Sequence, residues 1–186
     1  MTLKLPRTIR LDQSDTFVFE HAAEPGEWAV TGSFMFLDRD IPNLAGKPRA
    51  AFRAGFVGIR SLGFSTLVVV SEASEQEREA AIDGLARHIH TSFGAPDQKT
   101  ARAAASEEIA FAASLCRHDV NTIVALHRTF EDGEIKEQFR TLRPRADTVP
   151  GADKMHAYAR AFTIIETDDE PEEKVDLVAL MGEGRR

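Results

Sequence analysis

The dipeptide Asp132-Gly133 constrains the fold more than any other feature, because it lies between two stretches rich in apolar and β-branched residues. Asp-Gly is a favoured two-residue loop of a β-hairpin. Reversing the chain there gives three cross-strand pairs on one face: Phe130 with Ile135, Arg128 with Glu137, and Leu126 with Phe139. Two apolar pairs flanking an ion pair predict a hairpin over residues 121–142. The alternative is a helix through Ile135, Phe139 and Leu142, so residues 134–142 are either strand or helix.

Residues 74–116 predict a helical hairpin. Ser74 and Glu77 form a capping box, and Gly94 is a natural stop for the helix that follows. The apolar stripe of this helix consists of Ala81, Leu85, Ile89 and Phe93. A second helix is predicted to begin near Asp97, and its stripe consists of Ala101, Ala105, Ile109, Ala112 and Cys116. The many alanines favour close packing between the two helices.

The first third of the chain is predicted to form mainly strands. "RTIRLD" and "TFVFE" read as strands, and Trp28–Phe36 alternates in the way that a half-buried strand does. Gly32 marks either a bulge in that strand or a close approach of another element. Residues 46–58 predict a helix with Pro48 in its first position, and "FSTLVVV" (64–70) predicts a strand covered on both faces.

Together these elements predict an α+β fold with a single domain over residues 1–165. Its largely antiparallel sheet has about six or seven strands, is covered on one side by the helical hairpin, and includes a strand within residues 158–166. Residues 166–186 read as an acidic linker and a C-terminal helix that packs on this domain or extends from it. The apolar side of that helix must dock on something, and consists of Val175, Leu177, Val178, Leu180 and Met181.

Composition and charge narrow the class of protein. The net charge is −7, but residues 166–173 ("ETDDEPEE") hold six acids and no base, which leaves −1 on the rest of the chain. Nucleic-acid binding needs a clustered excess of Lys and Arg, so it is not expected. The N-terminus is interrupted by charges and proline too early for a signal sequence, and no apolar run reaches the roughly 20 residues of a membrane helix. The single cysteine also fits the reducing cytoplasm, where we expect the protein to reside.

The histidines in "ARHIHTSFG" do not predict a metal site. His88 and His90 are two residues apart, and such positions on a helix point about 200° apart. Cys116 and His118 have the same spacing, and Cys116 lies on an apolar stripe, which favours a buried structural cysteine. We therefore expect no metal and no cofactor.

Other patterns typical of enzymes are missing. Glu107 and Glu108 lack the Glu-x-x-His that accompanies a carboxylate-bridged metal, and are interpreted as a solvated helix face. His21 and Glu24 have the reverse order and precede a turn. The glycines in "GFVGIRSLG" lack the Lys-Ser/Thr of a phosphate loop, and the motifs G-x-S-x-G, H-E-x-x-H and C-x-x-C do not occur. These observations favour a protein that is not an enzyme.

Two features remain as candidate sites. Arg140, Arg143 and Arg145 cluster in "FRTLRPR", and their guanidinium groups suit carboxylate or phosphate. The alternatives are that they neutralise the acidic segment of the same chain or simply face water. His127 lies opposite Gln138 in the hairpin and is the best general-base candidate, although an ordinary sheet histidine is the simpler interpretation.

Three stretches carry a resemblance: "LPRTIRLDQSDTFVFEHAAEPGEWAVTGSF", "EEIAFAASLCRH" and "FRTLRPR". Over about residues 3–145 the chain resembles an uncharacterised family of short bacterial proteins. Members of that family look like neighbours of genes for formate-dehydrogenase-like molybdenum enzymes and their accessory factors. The resemblance implies a cytoplasmic accessory role and supplies no catalytic residues.

The expected function is therefore non-enzymatic binding to another cytoplasmic protein, with a component of a molybdoenzyme system as one candidate partner. The rival is a small-molecule-binding domain or minor enzyme with a pocket on the sheet near His127, Arg128 and Glu137. A homodimer through the open sheet face is a third hypothesis.

Overall fold

The computed structural model describes residues 2–144 and 162–164, and they form an α+β fold. The helices are α1 (Ser14–Val18), α2 (Gly46–Ala54), α3 (Glu75–Ser92) and α4 (Gln98–Ser114), with 3-10 turns at Ser33–Phe36 and Ile41–Asn43. The strands are β1 (Lys4–Ile9), β2 (Ala29–Val30), β3 (Phe56–Gly58), β4 (Phe64–Ser65), β5 (Leu67–Glu72), β6 (Ile123–Glu131), β7 (Glu134–Pro144) and β8 (Phe162–Ile164). The predicted fold class is confirmed.

The strands form two sheets, where the sequence predicted one. The larger sheet has the order β1-β5-β6-β7-β8, and each neighbouring pair is antiparallel. The smaller sheet has the order β2-β3-β4. A single bridge between Arg7 and Trp28 connects β1 to the start of the smaller sheet. The two sheets separate because β2 is only two residues long and does not pair with β1 beyond the bridge between Arg7 and Trp28.

The β6–β7 hairpin has the predicted register. Phe130 pairs with Ile135, Arg128 with Glu137, and Leu126 with Phe139. Asp132 and Gly133 form the loop with φ of 52° and 78°, the positive values that this type of turn requires. The helical alternative for residues 134–142 is therefore wrong, and the cross-strand pairs decide the conformation.

The helical hairpin is also confirmed. Ser74 and Glu77 cap α3 reciprocally, Asp97 caps α4, and Gly94 has a φ of 74° between the two helices. Both predicted stripes are buried apart from the half-buried Phe93, and Ala101, Ala105 and Ala112 have no exposed surface. The helices pack mainly against Leu5, Val30 and Val57, and so against β1 and the smaller sheet. The helical hairpin thus covers parts of both sheets, where the sequence predicted a single sheet.

Residues 16–20 ("TFVFE") are not a strand, because most of them belong to α1 and the turn that follows it. The Asp15 carboxylate accepts hydrogen bonds from the Thr66 backbone N–H (3.2 Å) and the Thr66 hydroxyl (2.6 Å). This distant anchor holds the chain as a short helix. Phe17 and Phe19, predicted to share one face, are respectively 73% exposed and 1% exposed.

The strand predicted over Trp28–Phe36 is mostly wrong as well. Only Ala29–Val30 is extended, and a 3-10 turn replaces the rest. Gly32 causes the change, since its φ is 86° and a Cβ at this position would overlap the Val57 side chain. Its interpretation as a close approach of another element is confirmed.

Two further predictions have mixed outcomes. The helix predicted over residues 46–58 is confirmed only as α2, which begins two residues before Pro48 and ends at Ala54. Phe56–Gly58 is the strand β3 instead. The strand over residues 64–70 is interrupted at Thr66, and buried and half-buried residues alternate in β5, so it is not fully covered on both faces. β8 falls within the strand predicted for residues 158–166. The acidic linker and the C-terminal helix lie outside the described residues. Among the described residues, no helix is long and apolar enough to cross a membrane.

Candidate functional site

The β6–β7 hairpin carries two chemically different faces, because alternate residues of a strand point to opposite sides. Leu126, Arg128 and their partners Phe139 and Glu137 occupy the inner face, which joins the apolar core. His127 occupies the outer face. The two groups that the rival hypothesis places around one pocket, His127 and Arg128, are therefore on opposite sides of the sheet.

Arg128 is the largest fully buried side chain of the described residues, with 1% of its surface exposed. Its Nη1 donates to the carbonyl oxygens of Phe52 (3.0 Å) and Gly55 (2.9 Å), at the C-terminal end of α2. Its Nη2 donates to the Thr31 carbonyl. The cation thus satisfies helix carbonyls that have no partner within the helix.

The Nε atom of Arg128 completes this network. It lies 2.9 Å from Ser33 Oγ and 3.1 Å from Glu137 Oε1, and Ser33 also bonds Glu137. Burial lowers the pKa of Arg128, and Glu137 opposes that effect. Every Arg128 nitrogen is engaged by protein groups, so the site holds α2 against the two sheets and is not arranged to bind a ligand.

Glu108 of α4 lies close to this network. Burial raises the pKa of its carboxyl, the nearby Glu137 raises it further, and Arg128 lowers it. Glu107 is exposed. The interpretation of both residues as a solvated helix face is therefore correct for Glu107 and wrong for Glu108. The packing of α4 places Glu108 near Arg128 and Glu137. Sequence periodicity did not indicate this packing.

His127 and Arg140 share the outer face of the hairpin, and Arg53 at the end of α2 is close enough for its charge to act on His127. We call these three residues the basic face. Burial lowers the pKa of His127, and the charges of Arg53 and Arg140 lower it further. The imidazole is half-buried and the Arg140 side chain is partly exposed, while Arg53 at the end of α2 is exposed. No acid of the described residues forms an ion pair with either arginine.

The predicted cluster of Arg140, Arg143 and Arg145 stays a prediction. Arg140 pairs with Ala125 in the β6–β7 register and belongs to the basic face. The backbone of Arg143 pairs with Thr163 in the β7–β8 register, and Arg145 lies outside the described residues. No pattern in the sequence indicated Arg53, because its position depends on the tertiary packing of α2 beside β6.

The histidines of α3 do not converge. His88 Nε2 is 3.3 Å from the Arg60 carbonyl oxygen, and His90 Nδ1 is 3.2 Å from the Ala95 carbonyl oxygen. The two rings therefore contact opposite flanks of the helix, as the spacing predicted. Within the described part of the chain, no group of three or more His, Cys, Asp or Glu residues could hold a metal ion.

Cys116 is a buried structural cysteine, as predicted. It lies just after α4 with 1% of its surface exposed, and it packs with Val68 and Val124. Burial raises the pKa of its thiol to about 12. A thiol with this pKa stays protonated at neutral pH, so it is unsuited to act as a thiolate nucleophile.

The two best-formed cavities of the described residues lie away from His127. One has a volume of about 130 Å³, an apolar floor that includes Phe36 and Phe64, and a rim with Arg39 and Lys47. The other, of about 140 Å³, lies between the chain after β1 and the start of β5. His21 lies at the rim of the first cavity, separate from the exposed Glu24.

Comparisons with curated proteins and with solved structures gave no match. A protein-family model does match, and it covers residues 1–158, which includes every described element except β8. The basic face and the Arg128 network both fall within that range. The chain therefore belongs to the family DUF6505, a family of unknown function.

Proposed function

We propose that this protein is a non-enzymatic accessory protein that binds an acidic surface of another cytoplasmic protein through its basic face. One observation carries the proposal. The charges of Arg53 and Arg140 both act on His127, and neither arginine has an ion-pair partner among the described acids, whereas the neighbouring Arg128 is fully engaged.

Guanidinium groups favour carboxylates, because their planar donors match the two carboxylate oxygens. Burial lowers the pKa of His127, and the charges of Arg53 and Arg140 lower it further, which favours the neutral imidazole. It can therefore donate and accept hydrogen bonds at the centre of an interface. The basic character is local: without residues 166–173 the chain has a net charge of −1, which disfavours a nucleic-acid partner.

The resemblance to proteins encoded near molybdenum enzymes gives a starting point for partner identification. Components of a formate-dehydrogenase-like system, including its accessory factors, are the first candidates. Association with such a component would place the protein in the cytoplasm as a factor that acts on an enzyme and does not catalyse a reaction itself.

A small-molecule or enzymatic function near His127 is the second candidate. The observation in its favour is the lowered His127 pKa, which leaves a neutral imidazole able to accept a proton. However, the two best-formed cavities include none of the three basic-face residues. An interface with another protein does not require an enclosed cavity, so the first proposal is better supported.

The test is affinity capture with the full-length protein, followed by mass spectrometry. Arg53→Glu together with Arg140→Glu should remove a stoichiometric partner that the unchanged protein captures. Arg60→Glu together with Arg87→Glu is the matched control, because both arginines are exposed and lie outside the basic face. A partner retained by the first variant would contradict the proposal. A metabolite that co-purifies and is lost with His127→Gln would support the second candidate instead.

A further inference from the structure

We propose that the acidic segment 166–173 of the same chain occupies the basic face in the free protein and is displaced when an acidic partner binds. The inference rests on the proposed function, because it concerns regulation of the same site. Three independent features support it: the position of β8, the distribution of charge, and the apolar surface beside the basic face.

β8 ends close to Arg140. It is antiparallel to β7, with Phe162 opposite Pro144 and Ile164 opposite Leu142. Ile164 is the last residue of β8, and Arg140 is only two positions from Leu142 along β7. The acidic segment begins two residues after Ile164 in the sequence. Eight residues in an extended conformation span at most roughly 28 Å, which is ample to cross a face only two strands wide.

The charges of the two regions are complementary. The basic face presents Arg53 and Arg140 without described acidic partners, and residues 166–173 contain six acids and no base. Exposed ion pairs are individually weak and are screened by salt. A tethered segment nevertheless has a high effective concentration at the site, so several weak pairs favour occupancy while remaining displaceable.

The surface beside the basic face is apolar. Ala125 and Leu142 are half-buried on the side of the hairpin that carries His127, and they join none of the hydrophobic clusters formed by the described residues. The sequence that follows the acidic segment contains the apolar residues Val175, Val178 and Met181. The order of the sequence, acidic segment first and apolar residues next, therefore matches the order of the two surfaces, the basic face and the apolar side chains beside it.

The first test measures the His127 pKa by NMR titration of the full-length protein, with the signal assigned by its loss in His127→Gln. In the compared variant all six acids become amides: Glu166→Gln, Asp168→Asn, Asp169→Asn, Glu170→Gln, Glu172→Gln and Glu173→Gln. Removing nearby negative charge should lower the His127 pKa, and high salt should shrink the difference. His88 on α3 is the internal control and should change little.

An unchanged His127 pKa in the neutralised variant would overturn the proposal. An equal shift at His88 would also overturn it, because the effect would then come from net charge and not from local contact. Dilution shows whether the acidic segment on the basic face belongs to the same chain or to a second copy. A difference that persists on dilution supports contact within one chain, and one that disappears would show that a second copy supplies the acids.

The second test separates this inference from the proposed function, with a fluorescent decaglutamate peptide as the acidic probe. The neutralised variant should bind the peptide about fivefold more tightly than the unchanged protein, the factor expected from losing one exposed ion pair. Equal binding by both proteins would overturn the masking of the basic face. If neither protein binds the peptide while the His127 difference persists, the proposed function fails and the contact within the chain stands.

Discussion

Arg128 and Glu137 face each other across the β6–β7 hairpin, with 3.1 Å between Arg128 Nε and Glu137 Oε1, and their network closes the end of α2. The Asp132-Gly133 loop alone predicts the pairing of Arg128 with Glu137, but it does not predict that Arg128 caps the C-terminal end of α2. The carbonyl oxygens that Arg128 satisfies lie more than 70 positions earlier in the chain. One ion pair thereby fixes the relative position of α2, the smaller sheet and the hairpin.

Arg128→Met should destabilise the protein by about 3–5 kcal/mol, because it leaves the Glu137 carboxylate and several carbonyl groups without their buried partner. The free energy of unfolding in denaturant measures the loss. Arg140→Met is the matched control, and should change stability by no more than about 0.5 kcal/mol because Arg140 has no described ion pair. Similar losses in both variants would show that the buried network has no special role.

The two phenylalanines of the hairpin should differ in their effect on stability. Phe139 packs against Phe56 and Phe111, with ring centroids 6.4 and 6.0 Å away. Phe139→Ala should therefore cost about 3 kcal/mol. Phe130 is 37% exposed, so Phe130→Ala should cost less than about 1 kcal/mol. The register alone predicts equal effects, and denaturant midpoints that fall equally would favour that simpler view.

Gly32→Ala should destabilise the protein by about 2–4 kcal/mol, since it combines an unfavourable φ with an overlap against Val57. Gly94→Ala separates these effects. Gly94 also has a positive φ, of 74°, but no atom lies within 4 Å of an added Cβ. This control should cost only about 1 kcal/mol. Thermal or denaturant unfolding of both variants measures the difference, and equal losses would exclude the steric contribution.

Glu108→Gln should stabilise the protein near neutral pH. Burial raises the folded-state pKa of Glu108 above 4.5, with Glu137 as the second cause, so folding favours its protonated form. The favourable contribution is complete below the unfolded pKa and is lost as pH rises through the folded pKa. The stabilising effect of the amide should therefore appear near neutrality and vanish at acidic pH. Glu107→Gln removes the same charge from an exposed neighbour, and unfolding of both variants is measured across this pH range.

Arg140→Gln and Arg53→Gln should each raise the pKa of His127, because removing a positive charge makes protonation of the imidazole easier. NMR titration of the His127 ring measures the change. Arg87→Gln is the control, since Arg87 is exposed on α3 outside the basic face. A His127 pKa that stays constant in both basic-face variants would show that these arginines do not lie close enough to influence it.

The errors of the sequence analysis have specific physical causes. "TFVFE" has the alternation of a strand, but Asp15 is anchored to Thr66 some 50 positions away and forms a helix instead. Trp28–Phe36 alternates too, yet Gly32 meets Val57 and turns the chain. In each case a contact with a distant residue overrides a local preference, as happens often for short segments.

The residues of the candidate site also divide into those that local sequence patterns indicated and those that depend on distant contacts. The hairpin register pointed to His127 and the stretch "FRTLRPR" pointed to Arg140, and the two residues share one face of the hairpin. Sequence reasoning did not find Arg53 or the buried position of Glu108, because these residues reach the hairpin from separate helices.

The sequence by itself determined the β6–β7 hairpin with its register, the capped α3–α4 hairpin, the buried cysteine and the separation of His88 from His90. These features depend on turn chemistry, caps and periodicity, which act between residues close in the chain. Only the tertiary structure decided the division into two sheets, the capping of α2 by Arg128 and the gathering of Arg53, His127 and Arg140. The reason is that packing brings together residues from separate elements, and no local pattern encodes which distant partner will meet them.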